Sequence, residues 1–527
     1  MRGLILLNGK IYAGGAKKRV VEALAASNSR IIALGKSQEI KNIGNKGFEV
    51  YNLKGKTVLP GFTDCHTHFL YFASTLDTLD LSSVNTLTTL KSKIKDKLKD
   101  LKPGDFLFAK GWDKNFFEDQ SIFNRKTLDK ISVENPIAIF SKDQHTFWVN
   151  SIVLEMLELD EKSKDFSSEL IEVDPVTKMP NGIIREDATE VVRDLIKKTN
   201  RGKLKILFEK ATKIAHQNGL VGIHDLGGED AFKRYQNLHS SGNLHLRVWV
   251  TIPQKNLDSA IQLGIKTGFG NNFLKVGGVK LYADGALGSQ TALTFKPYLG
   301  SKNNFGIEVT SEEDLTSLVK KANDSGISAI IHAIGDRAVH HALNALEKSG
   351  KGFLRNRIEH IQLIQEEDIE RFSKLKVIAS VQPIHATSDR DIAERYWGRG
   401  CRFAYPYNTL KENGAKLIFG SDIPIEDFSP LRGIHAAVTR KREGDKRDPW
   451  YPEQRISVGD SVYAYTLGAA YASGEETIRG SIEVGKLADL VVLSQDIFEI
   501  PPEEILSTRV SATVFDGKIV FGRENLV

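Results

Sequence analysis

Two histidines stand two residues apart in PGFTDCHTH, His66 and His68. At the end of a β-strand that spacing sends both side chains out of one face, close to one another. Two imidazoles so placed suit a single metal ion, whereas an isolated pair would more simply be two surface histidines. This pair has company. His332 in IIHAIG, His360 in RIEH and Asp422 in FGSD each end an apolar run that reads as a strand, and Lys280 lies in another, VKLYADG. Imidazole and carboxylate together suit zinc or a similar divalent ion. Lys280 is the odd member, because a buried ammonium beside a cation is repelled. Carbamylation by CO2 would turn it into an anionic oxygen ligand able to bridge two ions; the alternative is a lysine paired with Asp284 or with substrate.

These side chains can meet only if their strands end on one side. Eight apolar runs alternate with helical stretches: TVLPGFTDCHTH, GLVGIHDLG, LRVWVTIP, GGVKLYADG, SAIIHAIG, RIEHIQLI, KVIASVQP and AKLIFGSD. That alternation predicts βα units and a parallel sheet. Eight of them suggest an α/β fold of the closed (β/α)8 kind, a TIM-like barrel, in which all strand C-termini converge on one rim where active sites are built. The markers Ile223, Val248, Lys280, His332, His360, Val381 and Ser421 recur near the roughly 30 residues that a βαβ unit needs. Between His66 and Ile223 the interval is far longer, so about 120 residues are inserted after the first strand, enough for a small α+β domain. Inside the insertion Leu87, Leu90, Ile94, Leu98 and Leu101 form a helical stripe, with a lysine-rich face read as solvated, and FLFAKGW and PIAIFSKDQH read as strands.

The two ends of the chain look alike. LLNGKIYAGG carries an Asn8-Gly9 turn between apolar runs and VSATVFDGKIVFG an Asp516-Gly517 turn, each a hairpin signal. With RIIALG, FEVYNLKG and GKLADLVVLS they predict one small β-domain built from both termini. The expected division is residues 1–57 and 477–527 for that domain, 58–75 for the first barrel strand, 76–199 for the insertion and 200–476 for the rest of the barrel.

Composition narrows the function classes. The 527 residues have a net charge of +5 without a block of like charges, so no nucleic-acid-binding arm is indicated. Two cysteines, Cys65 and Cys401, make neither a disulfide framework nor a zinc finger, which points to a reducing, cytoplasmic setting. No apolar stretch is long enough to span a membrane, and LILL is too short for a signal sequence. ALGKS at 33–37 ends like a phosphate loop, but Arg30 occupies the place of its first glycine; no GxSxG elbow occurs either. Cys65, between the two histidines, faces away from them by strand alternation.

Several other polar residues fall on the expected rim. His385 and Asp389 follow the seventh strand, and His224 ends the second. The stretch between Lys280 and His332 is about 20 residues longer than a βα unit needs, and the surplus, a glycine-rich loop from Asp284 to Gly306, falls on the rim. That loop is expected to form pocket wall, with Ser289, Gln290 and Thr291 near substrate. Asp113 and His145, from the insertion, are further candidates at the pocket mouth.

Taken in order, PGFTDCHTH, VKLYADGALGSQTA, IIHAIGDRAV, RIEHIQ, SVQPIHATSD, FGSDIPIED and GSIEVGKLADLVVL resemble the amidohydrolase superfamily. More narrowly they resemble amidohydrolase family 3, the branch containing N-substituted formamide deformylase, and GWD at 111–113 and HTFWVNS at 145–151 are similar to that branch too. The resemblance implies a metal-dependent hydrolase with a distorted TIM barrel and a β-sandwich made of both termini. It implies His66 and His68 as first-strand metal ligands, Lys280 as the carboxylated bridging lysine, His332 and His360 as further ligands, and Asp422 as both ligand and proton shuttle. Gln144 departs from the pattern, which has a glycine before His145. The expected activity is hydrolysis of a non-peptide C–N bond, an amide or N-formyl group of a small molecule, by a metal-activated water at one or two ions, with zinc foremost. A deaminase, a cyclic-amide hydrolase or a catalytically silent metal-binding homologue is the alternative, and a homo-oligomeric assembly is compatible with all of them.

Overall fold

The computed structural model describes residues 3–526 apart from 15–18, 44–46, 115–116, 118, 143–144, 160–169, 200–203, 229 and 351–353. The chain divides into two compact units, Met1–Phe72 with Ala211–Val527, and Ala73–Lys210. Among the described residues no helix is long and apolar enough to cross a membrane.

The larger unit is organised by an eight-stranded sheet whose neighbouring strands all run parallel. In chain order its strands are β1 (Phe62–Thr67), β2 (Leu220–Asp225), β3 (Arg247–Pro253), β4 (Leu274–Tyr282), β5 (Ala329–Ala333), β6 (Arg357–His360), β7 (Ile378–Val381) and β8 (Lys416–Phe419). Strands such as IASV and AIIHA are apolar on both faces, as a parallel sheet covered on both sides requires. The sheet curls until its first and last strands meet. Asp422 N–H donates to His66 O at 2.7 Å, His68 N–H donates to Ile423 O at 2.9 Å, and Thr67 bridges to Ile423 in parallel fashion. The result is nearly barrel-shaped, as the eight-run pattern predicted.

The first predicted strand proves to be two. Thr57–Pro60 pairs antiparallel with Leu490–Leu493 in a different sheet, and only Phe62–Thr67 enters the barrel. Gly61 is the joint. A Cβ there would lie 2.6 Å from the Val221 side chain, so the chain passes β2 too closely for any other residue.

Both ends of the chain contribute to two further sheets. One orders Arg30–Gly35, Ala23–Ser27, Gly3–Leu7 and Phe48–Asn52; the other orders Lys518–Phe521, Val510–Phe515, Leu490–Leu493, Thr57–Pro60, Lys10–Ala13 and Arg19–Val21. Their apolar faces share a core that includes Leu4, Leu6 and Leu24 from the first and Ile11, Val58, Val492 and Val514 from the second. The Asp516-Gly517 turn closes an antiparallel hairpin as expected. Asn8-Gly9 does not. Gly3–Leu7 pairs with Ala23–Ser27 and Phe48–Asn52, while Lys10–Ala13 lies in the other sheet, so this turn carries the chain across the shared core. Leu4 and Leu6 before the turn and Ile11 and Ala13 after it must all be buried in that core, and a hairpin within one sheet would leave the second layer without its strand.

The Ala73–Lys210 unit has its own six-stranded sheet, which includes Leu107–Trp112, Ile137–Ser141 and Thr146–Val149. Its helix Leu87–Leu98 buries Leu90 and Ile94 and turns lysines outward. The run PIAIFSKDQH is a strand only as far as Ser141, and Gln144 lies outside the described residues.

One buried ion pair joins the barrel to the terminal strands. Arg247, at the start of β3, donates from Nε and Nη2 to the two carboxylate oxygens of Asp489, and its Nη2 also reaches Asp516 Oδ1 at 2.9 Å. Arg247 is 2 % and Asp489 6 % exposed. Replacing one partner strands the other charge in the interior, so Arg247→Met is expected to lower stability by about 3–5 kcal/mol. Chemical denaturation monitored by tryptophan fluorescence measures this, and a loss under about 1 kcal/mol would mean that water reaches Asp489.

Candidate metal centre

The C-terminal ends of β1, β6 and β8 deliver the donors to one place. His66 ends β1 with His68 just beyond it, and the Nε2 atoms of both rings lie 3.3 Å from Asp422 Oδ1. His66, His68 and Asp422 thus form one group of three donors; His360, His385 and the same Asp422 form a second, each with its donor atoms within 4.8 Å of one another. The rings of His66 and His360 are 4.8 Å apart, centre to centre. Asp422 is held by the barrel seam itself, through its N–H to His66 O. Gly420 makes the approach possible, since a Cβ there would stand 2.4 Å from His66 Cβ and 2.5 Å from its backbone nitrogen.

The electrostatics are those of a dry site crowded with charge. Burial opposes ionisation of Asp422, yet His66 and His68 hold its carboxyl well below the usual carboxylate range. Burial likewise depresses His66, but Asp422 and Glu359 outweigh it and leave the ring easier to protonate than a free histidine. At His332 and His360 the pull of Asp422 is outweighed, and burial brings His332 down to about 3 and His360 well below its ordinary value, which favours the neutral rings. Lys280 is brought down to about 8 by burial, against the pull of Glu359 and Asp422.

The donor set fits a divalent ion. Bonds of about 2.1 Å at tetrahedral angles put neighbouring donors roughly 3.4 Å apart, close to the spacing between Asp422 and the two imidazoles. Nδ1 of His360 and Nε2 of His385 are buried without a hydrogen-bond partner among the described residues, as befits polar atoms facing a ligand site. Neutral imidazoles with a carboxylate are zinc-type donors.

The remaining predicted residues fall into distinct places. His332 packs edge-on against His360 at 4.5 Å, but its Nε2 faces the carbonyl of Gly285 at 3.0 Å, and it belongs to neither group of three. Lys280 Nζ sits 4.9 Å above the Tyr282 ring. The alternative pairing with Asp284 does not form: Asp284 accepts N–H bonds from Leu293, Ile334 and Gly335, and burial raises its carboxyl to about 7. His224, expected at the rim, is fully buried inside the barrel, bonded to Arg357 and packed on Trp249, so no substrate atom reaches it from solvent. Asp389 accepts a bond from Tyr405 Oη at 2.7 Å, and His385 has Gln362 Nε2 at 3.3 Å from its Nδ1. Ser289, Gln290 and Thr291 form an exposed turn in the loop whose Gly285 touches His332, with Ser289 Oγ and Thr291 Oγ1 2.7 Å apart. Asp113 and His145 belong to the Ala73–Lys210 unit, where Asp113 follows the strand Leu107–Trp112 and His145 pairs with Glu186. Cys65 packs on Ile418 and Ala469, turned away from the donors.

Sequence reasoning missed Glu359, Arg357 and Asp64. Asp64 is completely buried and accepts the N–H groups of His66 and Ser421, so it stitches β1 to the residues after β8. The signal was available: two charged residues spaced by two in RIEH, inside a strand that must be buried.

A match to the amidohydrolase family covers residues 49–521. The chain belongs to this family. Among its relatives, an Arabidopsis thaliana protein named LONG AFTER FAR-RED 3 is 30 % identical over 98 % of this chain and 91 % of its own length. An N-substituted formamide deformylase from Arthrobacter pascens is 23 % identical over 99 % of each chain. A crystal structure of an uncharacterised metal-dependent hydrolase from Pyrococcus furiosus superposes with a TM-score of 0.80 at 30 % identity, over 94 % of this chain and all of that one. In this family member the seam residue Gly420 is the sharpest test of the geometry. Gly420→Ala forces the His66 backbone aside and is expected to cost roughly 1–3 kcal/mol, as other overpacked sites do, with loss of bound divalent metal. Thermal unfolding together with metal content after dialysis checks it; an alanine variant with unaltered stability and metal content would contradict the close contact.

Proposed function

We propose that this amidohydrolase is a metal-dependent enzyme that hydrolyses a non-peptide carbon–nitrogen bond, an amide or N-formyl group, in a small molecule. The observation that carries the reading is the convergence of His66, His68, His360, His385 and Asp422 at the C-terminal ends of parallel strands. Metal dependence in the Pyrococcus furiosus neighbour and deformylation in the Arthrobacter pascens relative support it. The ion is a divalent one, with zinc favoured by the donors, and one or two can be accommodated because Asp422 belongs to both groups.

A divalent ion held there supplies Lewis acidity, which acidifies a water and polarises the substrate carbonyl. The chain's residues do the rest. The Asp422 carboxylate stands 3.3 Å from the Nε2 atoms of His66 and His68, where, ionised, it takes the proton of the attacking water. Asp422 then returns that proton to the departing amine nitrogen, so the C–N bond breaks without expelling an amide anion. Lys280, brought down to about 8 by burial and with no carboxylate paired to it among the described residues, offers a free amine at mildly alkaline pH. We assign that amine to carbamylation: its nitrogen attacks CO2, loses a proton and becomes an anionic oxygen donor. The loop bearing Ser289, Gln290 and Thr291 forms one wall of the pocket in this reading, anchored through Gly285 to His332. A deaminase or cyclic-amide hydrolase would use the same groups.

Metal analysis of protein purified without chelator, combined with a screen of N-formyl amines, N-acyl amines, cyclic amides and aminated rings, tests the whole reading. One to two divalent ions per chain and turnover of an N-formyl or N-acyl amine are expected; turnover of the last two classes alone would select the alternative. Asp422→Asn should keep the fold and lose at least about 100-fold in rate, the usual worth of a positioned acid–base group. Lys280→Ala should lose activity that short carboxylates partly restore, and intact wild-type protein analysed by native mass spectrometry should carry the added CO2.

A further inference from the structure

Strand β6 reads Arg357-Ile358-Glu359-His360, and of these four His360 belongs to a donor group. Glu359 Oε2 lies 2.6 Å from Nδ1 of His66. Its Oε1 lies 2.6 Å from Nε of Arg357, two residues back on the same strand. Arg357 Nη1 lies 2.9 Å from Nδ1 of His224, and the guanidinium rests 4.8 Å from the centre of the Trp249 ring. A chain of contacts, His224–Arg357–Glu359–His66, therefore crosses the barrel interior from β2 through β6 to β1. None of its members is more than 1 % exposed.

The Arg357–Glu359 contact is an ion pair without hydrogen-bond geometry, and the contacts on either side of it are directional. A guanidinium is always charged and only donates, so His224 Nδ1 accepts and that ring carries its proton on Nε2. The same guanidinium keeps Glu359 a carboxylate, which only accepts. A carboxylate 2.6 Å from His66 Nδ1 requires a proton on that nitrogen. In the neutral ring Nε2 is then left with its lone pair, and Nε2 is the atom that faces Asp422 at 3.3 Å. Gln382 Nε2 also lies 3.3 Å from His66 Nδ1, but an N–H cannot donate to a nitrogen already protonated, and the shorter, charge-assisted contact prevails. His68 is held differently: a third exposed, it has Asp422 as the carboxylate within ion-pair reach among the described residues.

We infer that Glu359 is the positioning residue that makes His66 a metal donor, and that the Arg357–Glu359 pair sets the affinity of the centre for divalent ions. The inference rests on the metal reading of this site given above. Arg357 anchors, Glu359 selects the tautomer and fixes the ring plane, and His360 at the end of the same strand supplies a donor of its own. Four consecutive residues thus carry the donor and the machinery for orienting its neighbour. A carboxylate behind an imidazole also strengthens it as a ligand, and losing such a partner typically weakens metal binding 10–100-fold.

The experiment measures zinc affinity by competition with a chelator, on wild-type protein, Glu359→Gln, Glu359→Asp and Arg357→Lys, with thermal melting of each metal-free form recorded alongside. Glu359→Gln is expected to bind zinc about 10–100-fold more weakly, with Glu359→Asp recovering part of the loss because it keeps the charge. A merely structural role would lower the melting temperature and leave the zinc affinity of the folded protein alone. Folded Glu359→Gln with affinity within about threefold of wild type, well short of that range, overturns the inference. Where Glu359→Gln does not fold, Glu359→Asp and Arg357→Lys decide, and unchanged zinc affinity in both overturns it equally. Wild-type protein that takes up no zinc, manganese or cobalt overturns the metal reading itself, an outcome distinct from a metal-binding wild type with an indifferent Glu359 variant.

Discussion

The seam between the first and last barrel strands is the constraint on which the rest depends. Its hydrogen bonds use the residues of the candidate centre: Asp422 donates to His66 O, His68 donates to Ile423 O, and Asp64 accepts from both sides. Closing the sheet and assembling the donors are therefore one event. A strand register shifted by one residue would flip His66 and His68 to the helix-covered face and bring Cys65 inward, because side chains alternate along a strand. Gly420 enforces the same register from the other side, since its missing side chain is where His66 sits.

Closure also explains how charge is tolerated in the barrel. An isolated carboxylate or guanidinium in such an interior costs several kcal/mol even after relaxation. In strand β6 the charges are in contact: Glu359 lies between Arg357 and His66, which hold its carboxyl at about 2 despite complete burial. Lys280 differs, because Glu359 and Asp422 act on it without a direct ion pair among the described residues, and burial wins. Such pairs are a weak source of stability, since an apolar interior of the same volume is often as stable.

Much of this was legible in the sequence, and the parts that were not have identifiable reasons. Eight apolar runs with donors at their ends define the sheet, and the HxH pair with His360 and Asp422 marks the site, because strand periodicity and strand ends are local properties. The split of TVLPGFTDCHTH at Gly61 was invisible, since it depends on how closely β2 passes. The Asn8-Gly9 turn misled for a related reason: its residues suit a hairpin, but burial on both sides of a two-sheet core decides where the next strand goes. His385 was read as a rim residue near substrate and stands within donor distance of Asp422. His224 was read as a rim residue too, yet an inward-facing position one residue before the strand end is already beneath the site. Glu359 and Arg357 were legible too, as two charges spaced by two in a strand that the barrel buries, but which imidazole they serve depends on the contact between β6 and β1 across the interior.

The backbone at His360 shows what the site demands of the chain. Alternation would send His360 away from the interior if Glu359 points into it, yet both touch His66, one through its carboxylate and one ring to ring. The chain meets both demands by leaving the strand conformation: φ is 75° at His360, 50° at Ile361 and 61° at Asp422. Such left-handed positions cost of order 1–3 kcal/mol each for residues other than glycine and persist only where their surroundings over-determine them. The surroundings here are specific. Ile361 N–H is shared between Ala333 O and Glu359 O, and Asp422 N–H is fixed to His66 O. Glycine at His360 or Asp422 would relieve the backbone but remove the donor, so the strain there marks places where the chemistry of the side chain outweighs the preference of the main chain.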